Sequence, residues 1–359
     1  MTKSPVFLLL LLLSLVACQE TSTNTEPTVQ YQEARGETMG TYYAIKYGSA
    51  EVKNLKPAFD SILVVLNDEV STYIPSSTIS TFNQQEGPLD IGYPVDAYLS
   101  SNAEKIPKVN QHFAKNYVIS RQIYEQTEGY FEPTIMPLVN YWGFGYTEKK
   151  AVAEVDSTLV DSLLQLVGMD MVQYEETQLV KTKPGVQLDF SGVAKGYGVD
   201  LLGWYLESLG INDYLVEIGG EVRARGLNSR GGAWTIGVNK PDPAAKVTDF
   251  QVTATLQDLA VATSGNYRNF YEVDGNKYAH IINPKTGYTQ LSDLLSATVF
   301  AEDCATADGF ATAMMIMGRE RALALAEAEP ELEVLLIYGT EDGGTATVAS
   351  SGLGSIIRE

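Results

Sequence analysis

The sequence predicts an α+β fold, built as one compact or two-lobed domain over residues 35–359. Short β-rich runs crowd the C-terminal half, and some lie close enough to pair as hairpins. Amphipathic helices are scattered among them without the strand–helix alternation of a doubly wound parallel sheet. No internal repeat and no proline- or glycine-rich linker divides residues 35–359. With 359 residues, 45% of them hydrophobic, the chain can bury a large core.

In order along the chain, Lys3 precedes an apolar run from Val6 to Ala17. This run falls short of the roughly 20 residues a spanning helix needs, so residues 1–17 read as a signal peptide. It ends in Leu15-Val16-Ala17-Cys18, the small-residue-then-Cys arrangement that resembles bacterial lipoproteins. That reading makes Cys18 a lipidated N-terminus, held to a bacterial membrane on its extracytoplasmic, periplasmic side. An ordinary secretory signal with an incidental Cys is the alternative; it releases a soluble protein. The polar stretch that follows, to residue 34, reads as a flexible tether of roughly 20 Å. With Cys18 committed to lipid, Cys304 has no disulfide partner and reads as a small buried residue.

Leu55, Phe59, Ile62, Leu63, Leu66 and Val70 recur at helical spacing and predict a helix over 55–70. A less regular helix is expected over 109–127, with His112 on its solvated side. Asp156 can cap a further helix whose inward residues would be Leu159, Leu163, Leu164 and Val167. Strands are expected at 213–218, 233–238, 249–256, 268–273, 277–282, 296–301 and 333–338, with a hairpin turning at Asp274-Gly275-Asn276. Helices are expected at 193–209, 304–317 and 319–328.

Four segments carry more polar and glycine specificity than packing requires. In QLDFSGVAKGYGVD (187–200), Asp189 ends an extended run and Lys195 enters a helix start. Backbone N–H groups plus one lysine suit a phosphate, although a strand-to-helix turn with a surface lysine would look the same. In EDCATADGFATAM (302–314), Asp308 and Thr312 lie one helical turn apart and share a face. A carboxylate and a hydroxyl suit a hard cation such as Mg²⁺; the alternative is that one is solvated and the other merely packs. In the third segment, 261–288, a strand ends in Thr263-Ser264-Gly265 and His280 precedes the turn Asn283-Pro284-Lys285-Thr286-Gly287. An imidazole there can accept a proton near neutral pH or be a satisfied structural residue. The fourth comprises Glu37 to Thr41, Ser71-Thr72-Tyr73 and GYFEPTIMPLVNYWGFG (129–145), whose aromatics could line a flat-ring pocket or simply fill the core. The charge balance, 45 acidic against 25 basic residues for a net −20, argues against nucleic acid as a partner.

Taken in order, Met39-Gly40-Thr41, Ser71-Thr72-Tyr73, FEPTIMPLVNYWGFG, LDFSGVAKGYGVD, EIGGEVRARG (217–226), ATSGNYRNF, HIINPKTG and ADGFATAMMIMG resemble the ApbE family of FAD:protein FMN transferases. The resemblance runs from about residue 35 to 340. It implies a T-fold-related α+β domain and a Mg²⁺-dependent transfer of FMN from FAD to a Thr or Ser hydroxyl of an acceptor protein, with release of AMP. By motif, it implies that Asp308, Thr312 and the backbone oxygen of Gly192 bind Mg²⁺. Asp189 and Lys195 would contact FAD, the lysine near the pyrophosphate. Met39 and Tyr73 would pack on the flavin, Tyr130, Phe131 and Glu132 would line its other side, and Ile282 would lie against the nucleotide. His280 is the candidate base for the acceptor hydroxyl. The chain departs from the family pattern at Glu132 and Asn283, where Asp is usual, and at Ser191, where Gly is frequent. Two other functions fit the same residues: an FAD pyrophosphatase that uses water, and a flavin-binding lipoprotein without chemistry.

Overall fold

The structure, a computed structural model, describes residues 29–51, 53–92, 110–147, 151–152, 154–242, 249–266, 270–273, 276–290 and 292–358. Its frame is a sheet of eight strands: β1 (Gln30–Thr38), β2 (Thr41–Ser49), β3 (Tyr214–Ile218), β4 (Glu221–Arg225), β5 (Leu259–Gly265), β6 (Leu294–Ala301), β7 (Glu333–Gly339) and β8 (Thr345–Ala349). Each strand pairs antiparallel with the next in chain order, so the sheet is a meander interrupted by long insertions. Among the described residues the α-helices are α1 (Lys56–Val70), α2 (Thr78–Gln84), α3 (Gln111–Gln126), α4 (Met136–Tyr141), α5 (Ser157–Leu164), α6 (Ala194–Ser208), α7 (Cys304–Met317) and α8 (Arg319–Ala328).

Strand alternation divides the sheet into two faces. Tyr43, Ile45, Tyr47, Tyr214, Val216, Ile218, Ala297 and Val299 join the main core, which also holds the apolar faces of α1, α3, α6 and α7. Val222, Ala224, Val261, Phe300 and Leu335 point the other way and are covered by a three-stranded sheet of 234–239, 250–256 and 357–358. The α+β reading therefore holds, with α1, α3, α6 and α7 on one face.

Two carboxylates, one of them buried, set the helices that carry the site. Asp303 caps α7 by accepting the Thr306 N–H at 2.8 Å. Asp200, from α6, accepts the N–H groups of Cys304 and Ala305, each at 2.9 Å, and is ion-paired with Arg223 of β4 at 2.9 Å. The start of α7 is thus pinned to α6 and, through Arg223, to the sheet. Gly196 permits their close crossing, since a Cβ there would lie 2.2 Å from the Cys304 carbonyl oxygen.

The expected helices and strands are present, with ends shifted by a few residues. The hairpin pairs Phe270–Val273 with Asn276–Ala279; its turn residues Asp274 and Gly275 lie outside the described residues, as do the signal segment, Cys18 and the tether as far as residue 28. Three expectations are corrected. Residues 30–34 are not tether: they form half of β1, with Gln30 opposite Ser49, because backbone pairing to β2 outweighs a polar composition. On α5, Asp156 caps as expected, accepting the Leu159 N–H at 3.0 Å, but Leu159 is 43% exposed and Val160 is the buried residue. His112 is not solvated. It is 5% exposed, its Nδ1 lies 3.0 Å from the Tyr197 hydroxyl, and burial pushes its pKa down to about 4. Its backbone explains the placement: Glu69 of α1 accepts the N–H groups of His112 and Phe113 at 2.7 and 2.9 Å, supplying the cap that α3 lacks of its own.

No helix among the described residues is long and apolar enough to cross a membrane. Cys304 is buried and unpaired, and burial raises its thiol pKa well above the ordinary value.

Candidate active site

The meander and its insertions enclose an open cavity of about 860 Å³, within the size range of ligand pockets. Its floor comes from β4, β5, α6 and α7, and its walls from the 129–145 and 280–284 segments. Tyr73, Tyr130, Phe131, Glu132, Asp189, Gly192, Lys195, His280, Ile282, Asp308 and Thr312 all line it. The structure therefore gathers all but one of the predicted cavity residues, from segments spread over more than half the chain. The exception is Met39: it follows β1 in a turn with φ 50° and packs against the main core rather than lining the cavity.

At the floor, the first turn of α6 presents Lys195 to two carboxylates. Its Nζ lies 2.9 Å from Glu221 Oε1 and 3.4 Å from Asp308 Oδ1. Asp308 is 3% exposed and also accepts the Gly196 N–H at 3.1 Å. One turn on, Thr312 Oγ1 lies 3.3 Å from Ser264 Oγ, and a Cβ on Gly192 would come within 3.3 Å of the same Thr312 oxygen. That Cβ would also meet Phe131 at 2.8 Å, so glycine keeps the 192 backbone close to α7. Burial pulls the Lys195 pKa down, but the Asp308 and Glu221 carboxylates outweigh it and raise it above the ordinary lysine value, so the ammonium stays charged. Burial raises the pKa of both Asp308 and Glu221, against the pull of Lys195.

Among the described residues, no group of three or more His, Cys, Asp and Glu side chains is placed to hold a metal. The donors that do gather are the Asp308 carboxylate, the Thr312 hydroxyl and the adjacent Gly192 backbone. An all-oxygen, ligand-poor set fits Mg²⁺, which retains waters and takes substrate phosphate oxygens. A buried orphan oxygen, Glu221 Oε2, lies in the same wall without a hydrogen-bond partner.

The remaining residues divide into wall and scaffold. Asp189 accepts the N–H and hydroxyl of Ser191, at 2.8 and 2.9 Å, and so shapes the turn leading into α6. This gives Ser191 a role that a glycine could fill only through its N–H. Glu132 accepts from the Thr134 N–H and hydroxyl and from the Met169 N–H, so its carboxylate fixes the wall. Tyr130 lies between the Lys285 and Arg321 cations, each within 6 Å of its ring. Tyr73, 63% exposed, stands at the rim, while Phe131 and Ile282 are buried apolar wall. His280 lines the cavity with its ring edge-on to Phe144 at 6.3 Å. Asn283 closes its own turn, accepting the Lys285 N–H at 2.9 Å and donating to Gln290 at 3.0 Å. Its amide therefore serves the loop.

The family model of the ApbE family matches residues 39–336. The chain belongs to the ApbE family. A Vibrio cholerae protein named FAD:protein FMN transferase is 38% identical over 320 residues, covering 88% of this chain and 90% of that protein. A Haemophilus influenzae protein of the same name is 35% identical, over 94% and 93%. Among solved structures, the flavin transferase ApbE of V. cholerae superposes with a TM-score of 0.77 at 36% identity, over 92% of this chain and all of that one. The apo flavinyl transferase ApbE of Pseudomonas stutzeri gives 0.78 at 28% identity, over 91% and 97%. The α+β domain is thus an ApbE fold throughout.

Glu221 and Ser264 were not singled out as site residues from sequence. A signal for Glu221 was present: Glu221, Arg223 and Arg225 alternate on one face of β4. Charges on one side of an interior strand need partners of opposite sign, which here are Lys195, Asp200 and Glu207.

Proposed function

We propose that this chain transfers FMN from FAD to a Thr or Ser hydroxyl of an acceptor protein and releases AMP. The observation that carries this is the convergence of Asp308, Thr312, Gly192, Lys195 and His280 on one cavity with an aromatic and apolar wall. The family names of the relatives supply the flavin and the protein acceptor.

Asp308, Thr312 and the Gly192 carbonyl oxygen would hold Mg²⁺. When bound, it would neutralise charge on the diphosphate as a Lewis acid. The ammonium of Lys195 adds a second positive charge against the same linkage, which matters in a chain of net charge −20. Phe131 and Ile282 exclude water from one side, and Tyr73 offers a ring for the flavin at the rim. A ring nitrogen of His280 accepts the proton of the acceptor hydroxyl as its oxygen bonds to the FMN phosphorus. The bond from that phosphorus to the AMP oxygen breaks, and AMP leaves with the electron pair. Positioning and electrostatics then carry most of the rate. Lipidation at Cys18 would hold this chemistry at a bacterial membrane surface on the extracytoplasmic side.

Mature protein incubated with FAD, Mg²⁺ and an acceptor should give a fluorescent acceptor band that survives denaturing electrophoresis, and EDTA should abolish it. Free FMN and AMP without a labelled band would favour a pyrophosphatase; intact FAD after long incubation would favour a binding protein.

A further inference from the structure

Glu221 opens β4 directly after the Gly219–Gly220 turn and is 4% exposed. It is nearer to Lys195 than Asp308 is, at 2.9 Å against 3.4 and 3.5 Å. Asp308 has a second donor in the Gly196 N–H, whereas Glu221 Oε2 is buried without one. Two carboxylates share one ammonium, so with both ionised the cluster carries one net negative charge in a desolvated place, a costly arrangement unless something offsets it. A lysine paired with Asp308 alone would neutralise that carboxylate and fill the space in front of it.

The geometry points to Glu221 as a positioning residue that draws Lys195 off Asp308, leaving that carboxylate available to a divalent cation. This rests on the reading of Asp308, Thr312 and Gly192 as the cation site. The charge arithmetic supports it. A divalent cation takes the cluster from −1 to +1, which suits an entering diphosphate, and Lys195 stays tethered in the cavity to meet it. Without Glu221 the lysine and Asp308 would form a neutral pair with little attraction for a cation.

The test is a double-mutant cycle on the mature chain without FAD, reading Mn²⁺ affinity by the electron paramagnetic resonance of the free ion. E221Q should weaken Mn²⁺ binding at least tenfold when Lys195 is present and less than twofold in the K195M background, where nothing competes for Asp308. Circular dichroism and the melting temperature of the E221Q chain show separately that it folds. E221D retains the charge but shortens the arm, and should bind Mn²⁺ several-fold more weakly than the parent. An equal factor for E221Q in both backgrounds, or parental affinity in E221D, would mean that Glu221 acts by its charge alone and would overturn the inference. Absence of Mn²⁺ binding to the parent chain at millimolar concentration would instead overturn the cation site, and this inference with it.

Discussion

Replacing Asp308 by alanine separates the chemistry of the site from its contribution to the fold. The carboxylate accepts the Gly196 N–H at 3.1 Å and lies 3.4 Å from Lys195, so truncation orphans a buried amide in the first turn of α6. An unsatisfied buried donor costs about 1–3 kcal/mol. Part of that is returned, because the remaining Lys195–Glu221 pair is balanced one to one. The net loss should be about 1–2 kcal/mol, or a melting temperature lower by roughly 1–3 °C for a chain of this size. Activity should fall much further. Loss of a cation ligand removes several kcal/mol of charge stabilisation; about 4 kcal/mol corresponds to about 10³-fold at 1.36 kcal/mol per decade. Asp308→Asn keeps an acceptor for Gly196 and should melt closer to the parent while remaining equally inactive. Calorimetry and chromatographic assay of AMP read the two effects separately. Turnover within tenfold of the parent in Asp308→Ala, with Mg²⁺ dependence intact, would refute the reasoning.

Other outcomes follow from the same structure. His280→Ala should lower kcat by about 10²–10⁴ while leaving FAD affinity within a few-fold, as measured by flavin fluorescence titration; unchanged kcat would remove the base assignment. Gly196→Ala, whose new Cβ would lie 2.2 Å from the Cys304 oxygen, should separate α6 from α7, destabilise by about 1–3 kcal/mol or more in denaturant titration, and weaken cation binding. His112 has a folded pKa of about 4 against 6.5 unfolded, so acid protonates the unfolded chain first. Its contribution is complete above pH 6.5 and is lost as pH falls toward 4, by about 3 kcal/mol. Glu69, raised to about 7 chiefly by burial, runs the opposite way in the parent, so the difference between the parent and His112→Phe isolates the histidine. Cys304, buried in the helix pair, should resist a thiol reagent in the folded mature chain and react fully in denaturant.

The parts of this fold legible in the sequence are those where local pattern and tertiary environment agree. The spacing of Phe59, Leu63, Leu66 and Val70 marks α1 because that face does meet the core. The run from Cys304 to Met317 is apolar nearly all round and lies between the sheet and α6, so its bounds follow from Asp303 and Gly318. Asp308 and Thr312 could be paired from spacing alone, since one helical turn fixes their relation. Long-range chemistry was hidden. Nothing in the sequence near His112 announces that Glu69, 43 positions earlier, draws its N–H inward. Leu159 against Val160 is a choice of helix phase over barely two turns, which the hydrophobic spacing of a short helix fixes poorly. The first residues of β1 are polar because an edge strand is held by backbone hydrogen bonds, which composition does not register. Glu221 was concealed for a related reason: its partner Lys195 lies on another element, and only the alternation of Glu221, Arg223 and Arg225 hinted at buried ion pairs.

Whether a protein hydroxyl, rather than water, takes the flavin phosphate can be read most directly by tandem mass spectrometry of an acceptor co-expressed with the full-length chain. The account predicts a fragment series that places the FMN mass on a single threonine or serine, absent when Asp308→Ala replaces the parent. An acceptor of unmodified mass, in cells whose active parent chain converts FAD to free FMN and AMP, would contradict it.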